Sequence, residues 1–85
     1  MGVGAGLVLG APAKKLLVKS LVSRAFCRAQ AQRLQAAVED YTRVIEIDAT
    51  NAHAHHNRGI LLNKCGHFDA ATADFARTLQ LERGQ

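Results

Sequence analysis

Apolar residues recur along this chain with the period of a helix. Leu17, Val18, Leu21, Val22 and Ala25 fall at i, i+1, i+4, i+5 and i+8, one face of a helix predicted over residues 14–31. Lys14, Lys15, Lys19, Arg24 and Arg28 lie around the rest of it, and Pro12 suits its start. A broader stripe, Leu34, Ala37, Val38, Tyr41, Val44, Ile45 and Ile47, predicts a second helix over 33–48. Glu39 and Arg43, four residues apart, sit on its wet side. The polar break Asp48-Ala49-Thr50-Asn51 has the length of a helix–helix connection, and Thr50 or Asn51 can cap the next helix. That third helix is expected over 52–65, closed by Gly66 in a left-handed cap. The fourth is expected over 68–82 with Phe68, Ala71, Phe75, Leu79 and Leu81 inward. The pattern is all-α, with about four helices and no strand signal.

The second and fourth helices repeat one another. A shift of 34 residues places Ala36 on Ala70, Ala37 on Ala71, Asp40 on Asp74 and Arg43 on Arg77. It also pairs Leu34 with Phe68, Tyr41 with Phe75, Ile45 with Leu79 and Ile47 with Leu81. Further back, Arg24 aligns with Arg58, Ala25 with Gly59 and Phe26 with Ile60, while Arg28 falls where Leu62 stands. A period of this length is that of a stacked helix-turn-helix solenoid.

The segment His55-x2-Arg58-Gly59-x2-Leu62, followed by Ala71-x3-Phe75, resembles the tetratricopeptide repeat (TPR), and Ala37-x3-Tyr41 matches one repeat earlier. The large aromatic, the leucine and the prolines of that pattern are replaced. The resemblance implies a TPR-type solenoid fragment: a complete repeat over 52–82, a half repeat over 33–48, and a degenerate repeat start or cap over 14–31. Ala37, Tyr41, Gly59, Phe68, Ala71 and Phe75 are the implied packing residues, with Gly59 permitting two helices to approach closely. It further implies a non-catalytic scaffold whose groove holds a peptide or partner helix, and groove-side roles for His56, Asn57, Leu61 and Lys64. Some members grip the terminal carboxylate of chaperone tails. Asn57 matches one asparagine of that clamp, but Val22 and Phe26 stand where its first lysine and asparagine would be.

Length and charge sharpen this picture. At 85 residues the chain is at most one small domain, and a solenoid normally needs about three repeats. A fragment or short form, prone to self-association, is therefore expected. Residues 1–38 carry six Lys/Arg and no acid, whereas 39–85 carry seven acids and five Lys/Arg. The high pI thus belongs to the front and does not mark the repeat as a nucleic-acid binder. Residues 1–13, with four glycines, are expected to form a flexible tail. Their glycines do not fit a phosphate-binding loop, a myristoylation signal or a secretory leader. No apolar run reaches the ~18 residues of a membrane span. Cys27 and Cys65, without a cysteine framework, indicate free thiols and a reducing, cytoplasmic setting.

Chemistry finds little foothold. His55 and Cys65, ten residues apart on one helix, lie about 15 Å apart along its axis, far beyond the ~2 Å reach of zinc ligands. Only His53 and His56 could share an ion, and two ligands are too few. Neither serine nor cysteine stands in a nucleophile motif. No enzyme activity, cofactor, metal or small-molecule substrate is expected, and Phe26 alone is too thin a platform for nucleic acid. The acid-free helix over 14–31 leaves one rival open, a small mitochondrial or membrane-surface adaptor targeted by that helix.

Overall fold

The structure, a computed structural model, describes residues 10–84. The tail expected over 1–13 lies mostly outside them. Four helices follow in order, α1 (Ala11–Gln30), α2 (Leu34–Ile47), α3 (Ala52–Lys64) and α4 (Phe68–Arg83), and no strand occurs among the described residues. Helix α1 begins three residues earlier than its periodicity suggests. Gly10 is extended (φ −71°, ψ 168°) and Pro12 occupies the first turn, where its missing N–H costs nothing. The alanines on either side of it are strong helix formers.

Each turn has a local cause. The N–H of Ala54 donates to Asn51 Oδ1 at 2.9 Å, so Asn51 caps α3. Thr50 instead donates through its N–H and its hydroxyl to Asp48 Oδ1, closing the α2–α3 turn. Gly66 ends α3 with φ +87°, and Gln32 takes the same left-handed place after α1 with φ +64°. These two positions are 34 residues apart, so the helix hairpin repeats down to its turn.

Helix α1 packs on α2 as α3 packs on α4, and α2 packs on α3. The chain therefore holds two helix pairs, with the basic front helix as the first member of the first pair. The core joins Leu21 and Ala25 of α1, Ala37, Val38, Tyr41 and Val44 of α2, and Ala54 and Leu61 of α3. Helix α4 contributes Ala71, Asp74 and Thr78, one buried ridge at i, i+3 and i+7. With that ridge turned to α3, Phe68 and Leu79 cannot point inward as the sequence suggested. They are 63% and 61% exposed. In the first pair the matching Leu34 and Ile45 are half-buried against the core, because α3 follows α2.

Candidate functional site

The α1 and α3 helices form the two walls of a cleft of about 480 Å³. Val22, Ser23, Phe26 and Cys27 come from α1, His53 and Asn57 from α3, and Tyr41 of α2 lies between them. Tyr41 is almost fully buried, and that burial pushes its phenol above the usual tyrosine range. Phe26 is 58% exposed, an apolar surface left facing water beside the cleft. The side-chain amide of Asn57 bonds His53 Nε2 at 2.8 Å, which fixes two polar groups on the α3 wall. At the N-terminal end of α1 a further hollow of about 520 Å³ is bordered by Lys14, Lys15, Val18 and Lys19, with Ile47, Asp48 and Asn51 opposite.

Two buried carboxylates hold the walls in place. Asp40 accepts from Arg24 Nε at 3.0 Å and Nη2 at 2.8 Å, and Arg28 Nη1 reaches both its oxygens at 3.1–3.2 Å. Asp74 accepts from Arg58 Nε and Nη2, each at 2.7 Å. The fork-on-carboxylate geometry is the stronger form of such a pair. It joins first to second helix in both pairs, always sixteen residues apart. Bonding to Asp74 raises the Arg58 pKa, as bonding to Asp40 raises that of Arg24. Arg58 also donates to Thr42 Oγ1 at 3.2 Å, so one guanidinium ties α2, α3 and α4 together. His55 faces Asp74 Oδ1 at 3.4 Å and the Ala49 carbonyl at 3.1 Å. A neutral imidazole has one N–H and donates to one of these at a time. The sequence carried the signal for these pairs, since both the arginines and the aspartates recur at the repeat period.

The residues expected to line a groove do not converge. Asn57 lines the cleft. His56 lines a separate depression with Phe75, Thr78, Leu79 and Glu82, its ring centroid 5.9 Å from that of Phe75. Lys64 is exposed near the end of α3 and borders neither cleft nor depression. Leu61 is not a groove residue: it is 4% exposed and belongs to the core, because the stripe Ala54–Leu61 faces α2. The resemblance puts Val22 and Phe26 at two clamp positions of the groove, whereas nothing in the sequence pattern singles out His53 as a cleft residue. A further signal for Phe26 is its alignment with Ile60, an apolar position shared by the first helices of both pairs. Among the packing residues, Ala37, Tyr41, Gly59 and Ala71 are buried and Phe75 is half-buried, whereas Phe68 is at the surface. A Cβ built on Gly59 would stand 2.7 Å from Phe75 Cε1, the close crossing of α3 over α4.

Charge is layered by helix. All seven acids lie on α2, α4 and the turn after α2, while α1 and α3 carry seven Lys/Arg and no acid. Among the described residues no group of three His, Cys, Asp or Glu is placed to hold a metal, and no helix is long and apolar enough to cross a membrane. Cys27 and Cys65 are free thiols at the surface.

Paired antiparallel helices joined at a 34-residue period define a TPR-type helical repeat. Comparison agrees, for residues 28–66 match the TPR repeat family. Residues 28–66 of the chain thus carry a tetratricopeptide repeat. It is 33% identical over 69 residues to the peptidyl-prolyl cis-trans isomerase FKBP4 of Bos taurus, a match covering 81% of this chain and 15% of that protein. No solved structure gives a significant match.

Proposed function

We propose that the chain is a non-catalytic protein-interaction module and that the α1–α3 cleft docks a peptide or helix of a partner protein. TPR repeats in general serve protein–protein interaction. The observation that supports the cleft itself is the exposed Phe26 beside Val22 at its edge, facing the fixed polar pair His53–Asn57. Apolar anchors beside a few oriented polar groups are what recognition of a protein segment uses. The buried ion pairs do not enter this chemistry, because their charges are spent on one another.

Phe26→Asp and Asn57→Arg alter the cleft at side chains outside the buried core, so both variants should keep the wild-type circular dichroism spectrum. Capture of a partner by the wild-type chain and its loss with either variant is the expected result. Capture that survives both would place docking elsewhere. The isomerase named in the bovine relative is not carried over, since the match spans so little of that protein.

Cytoplasmic residence fits this reading, and mitochondrial or membrane-surface targeting by α1 is the rival. Helix α1 spends Leu21 and Ala25 in the core, with Leu17, Val18 and Val22 packed against it. That leaves Leu16 and Phe26 as its large exposed apolar side chains. A targeting helix has to present such a face to a membrane or receptor. Fluorescent fusions of the whole chain and of residues 1–35 alone separate the two. Diffuse signal from both supports the cytoplasmic reading, and mitochondrial signal from the whole chain supports the rival.

A further inference from the structure

We infer that the occupant of the α1–α3 cleft is an acidic amphipathic helix, with its apolar residues on Phe26 and Val22 and its carboxylates on the lysines at the start of α1. This inference rests on the docking role of the cleft and adds the chemistry of the partner. Three of the seven Lys/Arg on the cleft-forming helices are held in ion pairs, Arg24 and Arg28 by Asp40 and Arg58 by Asp74. No ion pair engages Lys14, Lys15 or Lys19 among the described residues, and these border the hollow next to the cleft along α1. One acid, Asp48, faces them there, and its Oδ1 already accepts the N–H and the hydroxyl of Thr50. Helices α1 and α3 therefore bring no carboxylate to repel an acidic partner, and their unpaired cations beside the cleft are the lysines at the start of α1.

Spacing fits a helix better than a chain end. Lys15, Lys19, Val22 and Phe26 fall at i, i+4, i+7 and i+11, along one side of α1. Eleven residues of helix cover about 16 Å, so a partner helix of three turns lying along α1 meets the apolar end and the basic end together. Exposed lysine–carboxylate pairs are each worth roughly 0.2–1 kcal/mol and are screened by salt. The apolar anchor thus supplies affinity, while the lysines select the sign of the partner's charge. A free terminal carboxylate is not required, and Val22 and Phe26 offer it no donor.

Fluorescence anisotropy with the full chain tests this, using three labelled amphipathic peptides amidated at the C-terminus. They share leucines on one face and carry Glu, Gln or Lys at the polar positions. The Glu peptide is expected to bind roughly three- to tenfold more tightly than the Gln peptide, as two exposed ion pairs allow, and the advantage should fade with added salt. The double variant Lys15→Glu/Lys19→Glu, altered at exposed positions, should reverse the preference toward the Lys peptide. Equal binding of all three peptides, or a Glu preference that survives the double variant, overturns the inference and leaves the docking cleft standing. Binding of none overturns both. Sedimentation with phosphatidylcholine–phosphatidylglycerol vesicles is the remaining arm. Vesicle binding lost with Lys15→Glu/Lys19→Glu, with no charge preference among the peptides, assigns the lysines to a membrane surface and also overturns the inference.

Discussion

Asp74 has both carboxylate oxygens occupied by Arg58 and lies against His55, with all three groups withdrawn from water to different degrees. Its side chain is 6% exposed, and those of His55 and Arg58 are 9% and 22% exposed. Asp40 is equally buried, but its partners Arg24 and Arg28 are 56% and 32% exposed and can return to solvent when released. Removing a buried partner is costly because it strands the other charge. Asp74→Asn should therefore destabilise the chain by about 2–3 kcal/mol and Asp40→Asn by less, read from the midpoints of urea unfolding. Equal losses would show that exposure of the arginines does not set the cost. Gly59 acts through space instead of charge. Gly59→Leu forces the Phe75 ring aside and should cost roughly 1–3 kcal/mol, whereas Gly59→Ala should be near neutral, its clash offset by about 1 kcal/mol of helix propensity. A thermal melt unchanged by leucine would mean that Phe75 swings out freely. At this scale the sequence showed that Asp40, Asp74 and Arg58 recur or align with the repeat. It could not show that the arginine of one helix reaches the aspartate of the next, because that depends on how the pair is folded back.

The helices themselves were legible to within a few residues, since their apolar stripes and their polar breaks coincide. Two features were not. Phe68 and Leu79 carry the apolar pattern of Leu34 and Ile45, but with the Ala71–Asp74–Thr78 ridge turned to α3 and no described helix packed over α4 they stay exposed. The end of α1 was also obscure, because its left-handed residue is Gln32 where α3 uses Gly66. A side chain in that conformation costs about 1–2 kcal/mol, and glycine returns part of the gain as entropy of the unfolded chain. Gln32→Gly should thus stabilise the protein by about 0.5–1 kcal/mol, raising Tm by roughly 2–8 °C for a domain of this size. The matching change in the other hairpin, Gly66→Gln, should lower Tm. No shift in either variant would mean that the two turns relax without a left-handed residue.

Among the described residues, stacking stops at α4. In the first pair α3 packs over α2 and covers the surface of Tyr41 and Val44, yet the matching stretch of α4 has no described helix on its outer side, which leaves Leu79 exposed and Phe75 half-covered. The other end of the stack is more polar, for the shallow hollow on the outside of α1 is bordered by Lys19, Ser20, Ser23, Arg24 and Cys27 with Leu16. That asymmetry favours pairing of two α4 faces over joining of unlike ends, and such a two-fold contact closes as a dimer instead of growing into a filament. Burying a side chain such as Phe75 or Leu79 is worth roughly 1–2 kcal/mol when part of it is already covered. Six such side chains, Phe68, Phe75 and Leu79 from each copy, supply about 6–12 kcal/mol, against an association cost of about 4 kcal/mol or more. The balance is a weak dimer with a dissociation constant on the order of 100 µM. Sedimentation velocity across that concentration range should show the shift from monomer to dimer, and Leu79→Lys should abolish it without lowering helix content. A cooperatively folded monomer at the highest concentration would show that the α4 face is tolerated in water.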